Sequence, residues 1–236
     1  MGDKHIYPVP KQIKQFMYEW GVRSNGVKIL ITHTDLDGIG CAVLSNWYLN
    51  KSDKIKKYRN DIQGDSNRYI IFANYDNIDE VLDNISIFPH REYYILITDI
   101  SAPYEKLQRF AESQNVSTCI LDHHQTCPDY PNTENFMSVK ETGCCASWLV
   151  YKGILHKKDK HIITEAGKGI IVAINKWDLG NWGSLFVKNY DELGDEIKLQ
   201  MIYSTLYDKY NGDCYKIFEE LLTYTKASAK IAECVY

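Results

Sequence analysis

The chain has 236 residues, of which 44% are hydrophobic and 25% are charged, and these shares exclude a disordered or collagen-like protein. Its length suits one large domain, or one domain with a small appendage. The net charge of −4 argues against a broad basic surface for long duplex nucleic acid, and it leaves room for a local phosphate site.

Neither the cysteines nor the N-terminus indicates an extracellular or membrane protein. The seven cysteines are an odd number and include no C-x-x-C pair, so they form no paired disulfide framework. The first residues carry no apolar leader, and no stretch approaches the roughly 20 apolar residues that a membrane span requires. We therefore expect a reduced, cytoplasmic protein with no membrane contact.

The first part of the chain alternates short apolar runs with segments of helical spacing. The apolar runs, which predict buried strands, are Val27–Thr32, Arg68–Tyr75, Tyr93–Thr98 and Val116–Leu121. One intervening helix is expected from about Asp76 to Ile85, with Asp76 as its N-cap. Because crossover helices join such strands in parallel, the predicted fold class is α/β, a parallel β-sheet with helices on both faces.

After residue 140 the pattern predicts only helices. They span Thr142–Leu155, His161–Asn175, Asp191–Tyr207 and Tyr215–Ala232. We therefore expect an α/β domain over residues 1–190, followed by a helical C-terminal extension over residues 191–236. The sequence leaves open whether this extension packs on the sheet or begins a reduced second lobe.

Carboxylate and imidazole side chains follow three of the four predicted strands. They are His33, Asp35 and Asp37 after the first strand, Asp99 after the third, and Asp122, His123 and His124 after the fourth. Because the carboxyl ends of parallel strands share one edge, these side chains should meet in one crevice. So many carboxylates repel one another unless a cation lies among them. Mixed ligands of this kind suit Mn²⁺, Mg²⁺, Fe²⁺ or Zn²⁺, and their number fits a pair of ions better than a single ion.

Each of these residues, taken alone, also has a purely structural explanation. An Asp at a strand end is commonly a helix N-cap, and the two Asp residues before Gly38 suit a simple turn. Independent caps, however, would not bring His33, Asp99 and His123 to the same edge of a sheet. The joint pattern therefore favours a site over separate caps and turns.

The order and spacing of His33-Thr-Asp35-Leu-Asp37-Gly38, Asp99 and Asp122-His123-His124 resemble the DHH phosphoesterase superfamily. That superfamily includes RecJ-like exonucleases, nanoRNase and pAp phosphatases, cyclic-di-AMP phosphodiesterases and manganese-dependent family II pyrophosphatases. The resemblance covers roughly residues 27–125. The family's fourth motif, a single Asp after a helix, is matched by Asp178 directly after Ile171–Trp177.

The resemblance implies two divalent cations, with Mn²⁺ expected first, and six residues that would hold them. His33 and Asp35 would hold one cation, Asp37, His123 and Asp178 would hold the other, and Asp99 would bridge the two. Their chemistry would be to screen the charge of a phosphate ester and to acidify a water molecule.

The resemblance also implies roles for residues that are not metal ligands. His124 would hydrogen-bond the scissile phosphate and protonate the leaving oxygen, while Asp122 would orient the imidazoles. Gly38 would let the backbone approach an ion or phosphate closely. Lys176 is a further candidate for a contact with the substrate phosphate.

The chain departs from the superfamily in one respect. Many members carry a second, substrate-binding domain with a Gly-Gly-Gly-His signature, which this sequence lacks. The residues after Asp178 are also too few for that domain in its usual form. We therefore expect either a minimal member of the superfamily or a fragment of a longer one.

These features predict a two-metal phosphoesterase that hydrolyses phosphodiester or phosphomonoester bonds in nucleotides or short single-stranded oligonucleotides. One alternative is a RecJ-like exonuclease on longer single-stranded DNA, which needs an extended basic groove that the net charge of −4 does not suggest. An alternative of another class is a binding module that holds a nucleotide without cleaving it. The complete set of predicted ligands argues against that interpretation. The oligomeric state is left open.

Overall fold

The computed structural model describes residues 11–22, 26–49, 56–57, 67–154, 165–185 and 187–223. Its strands are β1 (Val27–Thr32), β2 (Lys56–Lys57), β3 (Arg68–Phe72), β4 (Tyr93–Thr98), β5 (Val116–Asp122) and β6 (Phe136–Lys140). Within the described residues these six form one all-parallel sheet in the order β2-β3-β1-β4-β5-β6. The strand order reverses between β1 and β4, and ligands of open parallel sheets bind at such a reversal.

The predicted α/β class is confirmed, and the two central strands have the predicted bounds. β1 and β4 are continuous apolar runs that are buried on both faces, which is the pattern that sequence reading detects best. The predicted end of the second strand at Tyr75 is wrong, because the strand ends at Phe72 and a turn follows. The edge strands β2 and β6 were not predicted; β6 is half-buried beyond Phe136 and lacks a continuous apolar run.

Helices cover both faces of this sheet. They are α1 (Lys11–Val22), α2 (Leu36–Leu49), α3 (Ile78–Asp83), α4 (Tyr104–Ala111), α5 (Ala146–Ile154), α6 (Glu165–Asp178), α7 (Asp195–Lys209) and α8 (residues 214–223). On one face, Leu30 and Leu96 share a core cluster with α1, α2 and α5 to α8. On the other, Ile31 and Ile97 share a cluster with α3 and α4. β1 and β4 thus supply both cores, because successive side chains of a strand point to opposite faces.

The predicted start and cap of the third helix at Asp76 are wrong. The helix begins at Ile78, and Asn77 occupies the N-cap position. The cause is an Asx turn: the backbone N–H groups of Asp76 and Asn77 both donate to the carboxamide oxygen of Asn74, over 3.0 and 3.1 Å. Asp76 therefore lies inside the turn and not at the helix terminus.

Two later helices also begin after their predicted starts. α5 begins at Ala146 and not at Thr142, because the intervening residues form a turn. α7 begins at Asp195 and not at Asp191, because a single 3₁₀ turn comes first. α6 continues to Asp178, so this residue ends the helix that it was expected to follow. The predicted helix boundaries at residues 155, 161 and 232 lie outside the described residues.

The two helices after residue 190 contact the sheet domain through tyrosine hydroxyls. Tyr203 on α7 donates to the carbonyl of Thr34, in the loop after β1, over 2.9 Å. Tyr215 on α8 donates to the carbonyl of Ile70 on β3 over 3.1 Å. α7 is therefore fixed directly against the loop that carries the first motif. None of the described helices is long and apolar enough to cross a membrane.

Two buried threonines tie the loop after β1 to the centre of the sheet. The hydroxyl of Thr98 on β4 donates to the hydroxyl of Thr32 on β1 over 2.8 Å, and Thr32 donates to the carbonyl of Gly38 over 3.0 Å. Both side chains are fully buried, so neither can use solvent as a substitute partner. The chain of hydrogen bonds fixes the path of the loop that carries His33, Asp35 and Asp37.

The variant Thr32→Val keeps the shape of the side chain and removes the middle of this chain of hydrogen bonds. We expect the free energy of unfolding in urea to fall by about 1–3 kcal/mol, because a buried carbonyl and a buried hydroxyl lose their partner. Thr118→Val is the matched control, since Thr118 is equally buried and its hydroxyl has no partner among the described residues. That variant should be neutral or stabilising. Equal losses in the two variants would contradict this account.

Candidate metal centre

The first motif lies in the tight loop between β1 and α2. The N–H of Gly38 donates to Asp35 Oδ1 over 2.9 Å, and Asp35 Oδ2 lies 3.0 Å from His33 Nδ1. A Cβ at position 38 would overlap the backbone carbonyl of His33. Glycine is therefore required for the loop to close on itself, and the close approach is to the backbone of His33. The close approach of the Gly38 backbone to an ion or phosphate, which the resemblance implies, stays a prediction.

Asp37 is buried in the first turn of α2 and is held by the N-terminus of α5. Its Oδ2 accepts the N–H of Ala146 over 2.7 Å, and its Oδ1 accepts the N–H of Ser147 over 3.0 Å. These are the first two residues of α5, whose dipole also favours a negative charge at this end. The carboxylate of Asp37 is thus fixed in orientation, with lone pairs left on both oxygens.

Asp99 occupies the middle of the centre. It is fully buried and follows β4 with a φ of 60°, a left-handed conformation that Asp tolerates better than most residues. Its Oδ1 lies 3.1 Å from His123 Nε2, and its Oδ2 lies 4.0 Å from His33 Nδ1. Each oxygen therefore faces an imidazole from a different motif, which is the arrangement of a bridging carboxylate.

His123 joins the third motif to the end of α6. Its Nδ1 lies 3.3 Å from Asp178 Oδ2, while its Nε2 faces Asp99. Burial lowers the pKa of His123, which favours the neutral imidazole that can bind a metal.

Asp122 orients both neighbouring histidines through one oxygen. Its Oδ1 accepts the N–H groups of His123 and His124 over 2.7 and 3.1 Å, and it lies 2.7 Å from His124 Nδ1. The hydrogen bond to Asp122 raises the pKa of His124, so this imidazole holds its proton more tightly than a solvated histidine does. The pair fixes the ring of His124 in one orientation.

The six residues predicted as metal ligands fall into two separate groups of three. One group is His33, Asp35 and Asp99, and the other is Asp37, His123 and Asp178; within each group the ligand atoms lie within 4.8 Å of one another. A further, overlapping group consists of Asp99, Asp122, His123 and His124. The resemblance implies the same separation of His33 and Asp35 from Asp37, His123 and Asp178, with Asp99 bridging the two sets, and here Asp99 groups with His33 and Asp35. The assignment of these residues as ligands stays a prediction.

The electrostatics of the centre fit bound cations. Burial, followed by the negative charges of Asp37 and Asp35, holds the pKa of Asp99 well above its usual range, and the same causes raise the pKa of Asp178 to about 7. Asp99 Oδ2 and Asp178 Oδ2 are buried and accept no hydrogen bond from the described residues. Burial would also raise the pKa of Asp35, but hydrogen bonds with His33 and Asp99 lower it to about 2. Divalent cations would supply the missing positive charge.

Tyr75 lies at this centre although the sequence assigned it no role. Its ring centroid is 5.6 Å from that of His33 and 6.4 Å from that of His124, and its side chain is 51% exposed. It therefore lines the open side of the centre. The signal available in the sequence was its position at the carboxyl end of a predicted strand, the sheet edge at which the predicted ligands also lie.

Lys176 lies in the last turn of α6, two residues before Asp178. Its side chain is half-exposed, and its ammonium is 3.9 Å from Glu196 Oε2 at the start of α7. A contact between Lys176 and a substrate phosphate stays a prediction.

Gly38→Ala tests whether the closed loop is needed to hold the first triad. The added Cβ would collide with backbone, so we expect Mn²⁺ binding to weaken about tenfold or more in titration calorimetry, because His33 and Asp35 must move. Gly169→Ala is the control, since among the described residues no atom crowds that position in α6. It should leave Mn²⁺ affinity unchanged and stabilise the protein by about 0.5–1 kcal/mol. Unchanged affinity in Gly38→Ala would exclude this role of the loop.

Solved structures of other proteins resemble this fold, each with low sequence identity. An uncharacterized protein from Helicobacter pylori G27 is 21% identical with a TM-score of 0.49, and the match covers 84% of this chain and 57% of that one. An exopolyphosphatase-related protein from Bacteroides fragilis is 17% identical with a TM-score of 0.43, covering 90% and 61%. RecJ from Thermus thermophilus, in complex with Mn²⁺, is 12% identical with a TM-score of 0.45, covering 96% and 34%.

The chain thus spans less than two thirds of the length of each of these proteins. No curated protein sequence matches it. The family described as "DHH family, N-terminal domain" matches residues 28–174. That span contains every predicted site residue except Lys176 and Asp178, which follow it in the last turn of α6. Because the match extends over more than half of the sequence, the resemblance inferred from the motifs is confirmed, and the chain belongs to the DHH family.

Proposed function

We propose that this protein is a two-metal phosphohydrolase of nucleotides or short single-stranded oligonucleotides. The observation that carries the proposal is the division of six buried or half-buried ligands into two triads, with Asp99 between them. Membership of the DHH family supports a metal-dependent phosphoesterase in general. The net charge of −4 supports short substrates over long nucleic acids.

In this proposal the two triads each hold one divalent cation, and Asp99 contributes to both. Mn²⁺ is our first choice, since it accepts mixed carboxylate and imidazole ligands. When bound, the two cations supply charge screening for the phosphate ester and acidify water at neutral pH. The amides of α5 keep Asp37 in place, and the closed loop at Gly38 keeps His33 and Asp35 in place.

His124 is the proposed proton donor to the leaving oxygen. Its Nδ1 is held by Asp122, so Nε2 is the nitrogen that would face a substrate. A raised pKa keeps the ring protonated closer to neutral pH, as a general acid requires. Asp122 acts through His124 and is a positioning residue. Lys176 would contribute a further contact to the substrate phosphate, weaker than that of His124.

We also propose that residues 191–236 belong to the same structural unit as residues 1–190. The hydrogen bonds from Tyr203 to Thr34 and from Tyr215 to Ile70 support this, as do the side chains of α7 and α8 in the larger core cluster. Because Tyr203 is hydrogen-bonded to Thr34, between His33 and Asp35, α7 would influence the position of these two residues.

The metal-free protein should lose stability as the pH rises from about 5.5 to about 8. The raised pKa values of Asp178 and Asp99 mean that the folded state retains protons that the unfolded state has released, so the free energy of unfolding falls with rising pH; the part due to Asp178 is lost by about one pH unit above its pKa of about 7, and Asp99 acts in the same direction. The raised pKa of His124 acts in the same direction, and the lowered pKa of His123 opposes it below about pH 6.5.

Mn²⁺ replaces these protons, so the increase in Tm that it causes should be larger at about pH 8 than at about pH 5.5. Thermal melts with Mn²⁺ and with EDTA at the two pH values measure this difference. In EDTA, Asp178→Asn should reduce the change of Tm with pH. Asp79→Asn, at an exposed position on α3, should leave that change as it is in the wild type. An increase in Tm on addition of Mn²⁺ that is equal at both pH values would contradict the proposal that Mn²⁺ and protons compete for these carboxylates.

Asp99→Asn is the sharpest test of the chemistry, because Asn also tolerates the left-handed backbone at this position. We expect Mn²⁺-dependent hydrolysis to fall about 100-fold or more, since the carboxylate that is proposed to bridge the two cations loses its charge. In EDTA the variant should be at least as stable as the wild type, because Asn removes a buried acid whose charged form is disfavoured by burial and by the charges of Asp37 and Asp35. Asp79→Asn should retain full activity.

The substrate is identified with a panel of pApA, pAp, cyclic-di-AMP, pyrophosphate and a long single-stranded oligonucleotide. Faster turnover of the dinucleotide than of the oligonucleotide supports the proposal, and the reverse order favours the RecJ-like alternative. Tight nucleotide binding without product favours the binding module. Activity that survives EDTA or Asp99→Asn would overturn the two-metal proposal.

A further inference from the structure

Tyr75 lies on a short turn that is held in position at the metal centre by hydrogen bonds. The N–H of Ala73, directly after β3, donates to the carbonyl of Thr32 at the end of β1 over 2.9 Å. Two asparagines then close the turn. The N–H of Asn74 donates to the carboxamide oxygen of Asn77 over 2.8 Å, and the N–H of Asn77 donates to that of Asn74 over 3.1 Å. The backbone that carries Tyr75 is therefore anchored to the strand that precedes the first motif.

The ring of Tyr75 contacts one histidine from each of two motifs. It is tilted by 55° to the imidazole of His33, with ring centroids 5.6 Å apart, and it meets the imidazole of His124 edge-to-face, at 88° and 6.4 Å. His33 is a proposed ligand of one cation, and His124 is the proposed proton donor. A phosphoryl group that meets both that cation and His124 would therefore lie beside Tyr75.

The hydroxyl of Tyr75 makes no hydrogen bond with any residue that the structure describes. The residue is 51% exposed, so a ligand can reach it from the open side of the centre. Burial, followed by the negative charges of Asp122 and Asp99, raises the pKa of Tyr75 to about 12. A phenol keeps its proton at neutral pH even in water, so this hydroxyl is an available O–H donor close to the carboxylates of the centre.

A phosphate ester at this centre needs hydrogen-bond donors as well as cations. The carboxylates of the two triads are acceptors only, and they repel the anionic oxygens of a phosphate. Lys176, the other candidate for a phosphate contact, has its ammonium 3.9 Å from Glu196 Oε2. Tyr75, by contrast, has its O–H free of any partner among the described residues.

We propose that Tyr75 is a catalytic residue whose hydroxyl donates a hydrogen bond to a non-bridging oxygen of the substrate phosphoryl group. The inference rests on the proposed function, and it adds to that function a donor that none of the four motifs contains. Charge is spread over the non-bridging oxygens in the transition state of phosphoryl transfer. A donor that is already held in place stabilises that charge without having to be reoriented during the reaction.

Tyr75→Phe removes the hydroxyl and keeps the ring. With Mn²⁺ present, we expect kcat/KM for the best phosphate ester of the panel to fall about tenfold or more, as for the loss of a hydrogen bond to a charged group. Mn²⁺ affinity in titration calorimetry and the midpoint of urea unfolding should match the wild type, because the hydroxyl has no partner among the described residues. Tyr190→Phe is the matched control. Tyr190 is 52% exposed and lies in the 3₁₀ turn before α7, and this variant should retain full activity.

Tyr75→Leu separates the hydrogen bond from the packing of the ring, since it removes both. We expect Tyr75→Leu to be at least as slow as Tyr75→Phe. If the ring served only to support His33, Tyr75→Phe would act as the wild type does, and Tyr75→Leu would bind Mn²⁺ more weakly. That pair of results would overturn the inference.

Inorganic phosphate tests the contact without hydrolysis. In equilibrium dialysis, the Mn²⁺-loaded Tyr75→Phe variant should bind labelled phosphate about tenfold more weakly than the wild type and Tyr190→Phe do. A near-ultraviolet difference spectrum between phosphate-bound and free protein should contain a tyrosine band that Tyr75→Phe lacks. Absence of phosphate binding by the wild type up to about 1 mM would overturn the inference.

The two measurements distinguish failure of the inference from failure of the proposed function. Phosphate binding that depends on Tyr75, without turnover of any substrate, would contradict the proposed hydrolysis and support the contact. Mn²⁺-dependent turnover and phosphate binding that are both unchanged in Tyr75→Phe would overturn the contact and leave the proposed hydrolysis in place.

Discussion

Three carboxylates, those of Asp37, Asp99 and Asp122, are buried at one edge of a parallel sheet, and the centre depends on how each is compensated. Asp122 accepts hydrogen bonds from its own two following residues, and Asp37 accepts two from the N-terminus of α5. Asp99 has an imidazole near each oxygen and negative charges from Asp35 and Asp37 around it. Of these three, Asp99 therefore lacks sufficient compensation among the described residues, and it is the residue that lies between the two triads.

The parallel sheet brings these side chains together, because the loops that carry them follow neighbouring strands. β1, β4 and β5 are adjacent and parallel, and Thr32, Thr98 and Leu121 are in register, so the loops that follow these strands begin within one residue of the same level. Fixing the loops requires further contacts from distant elements. The Thr98–Thr32–Gly38 hydrogen bonds connect the loop after β1 to β4, and the hydroxyl of Tyr203 on α7 donates to the carbonyl of Thr34 in the same loop. The positions of His33, Asp35 and Asp37 therefore depend on hydrogen bonds from the sheet and from α7 to the loop that carries them.

Sequence reading located the centre because its two requirements are local: an apolar run for each strand and a polar residue directly after it. His33, Asp99 and His123 were found in this way. The contacts that orient these groups could not be found, since Asp37 meets Ala146 only after the chain has folded, and the left-handed backbone of Asp99 has no local signal. Tyr75 was read as the end of a strand. β6 was missed because an edge strand is half-buried and its apolar pattern is interrupted.

The position of α7 extends the centre beyond the part that the family match covers. Residues 28–174 contain the strands and most of the motifs, but Asp178 and the whole of α7 follow that span. Asp178, the last residue of α6, is the member of the second triad that lies beyond the matched span. Tyr203 then connects α7 back to the loop of the first triad. A substitution on α7 that moved Tyr203 would therefore act on the loop of the first triad, so residues beyond the matched span contribute to the position of that loop.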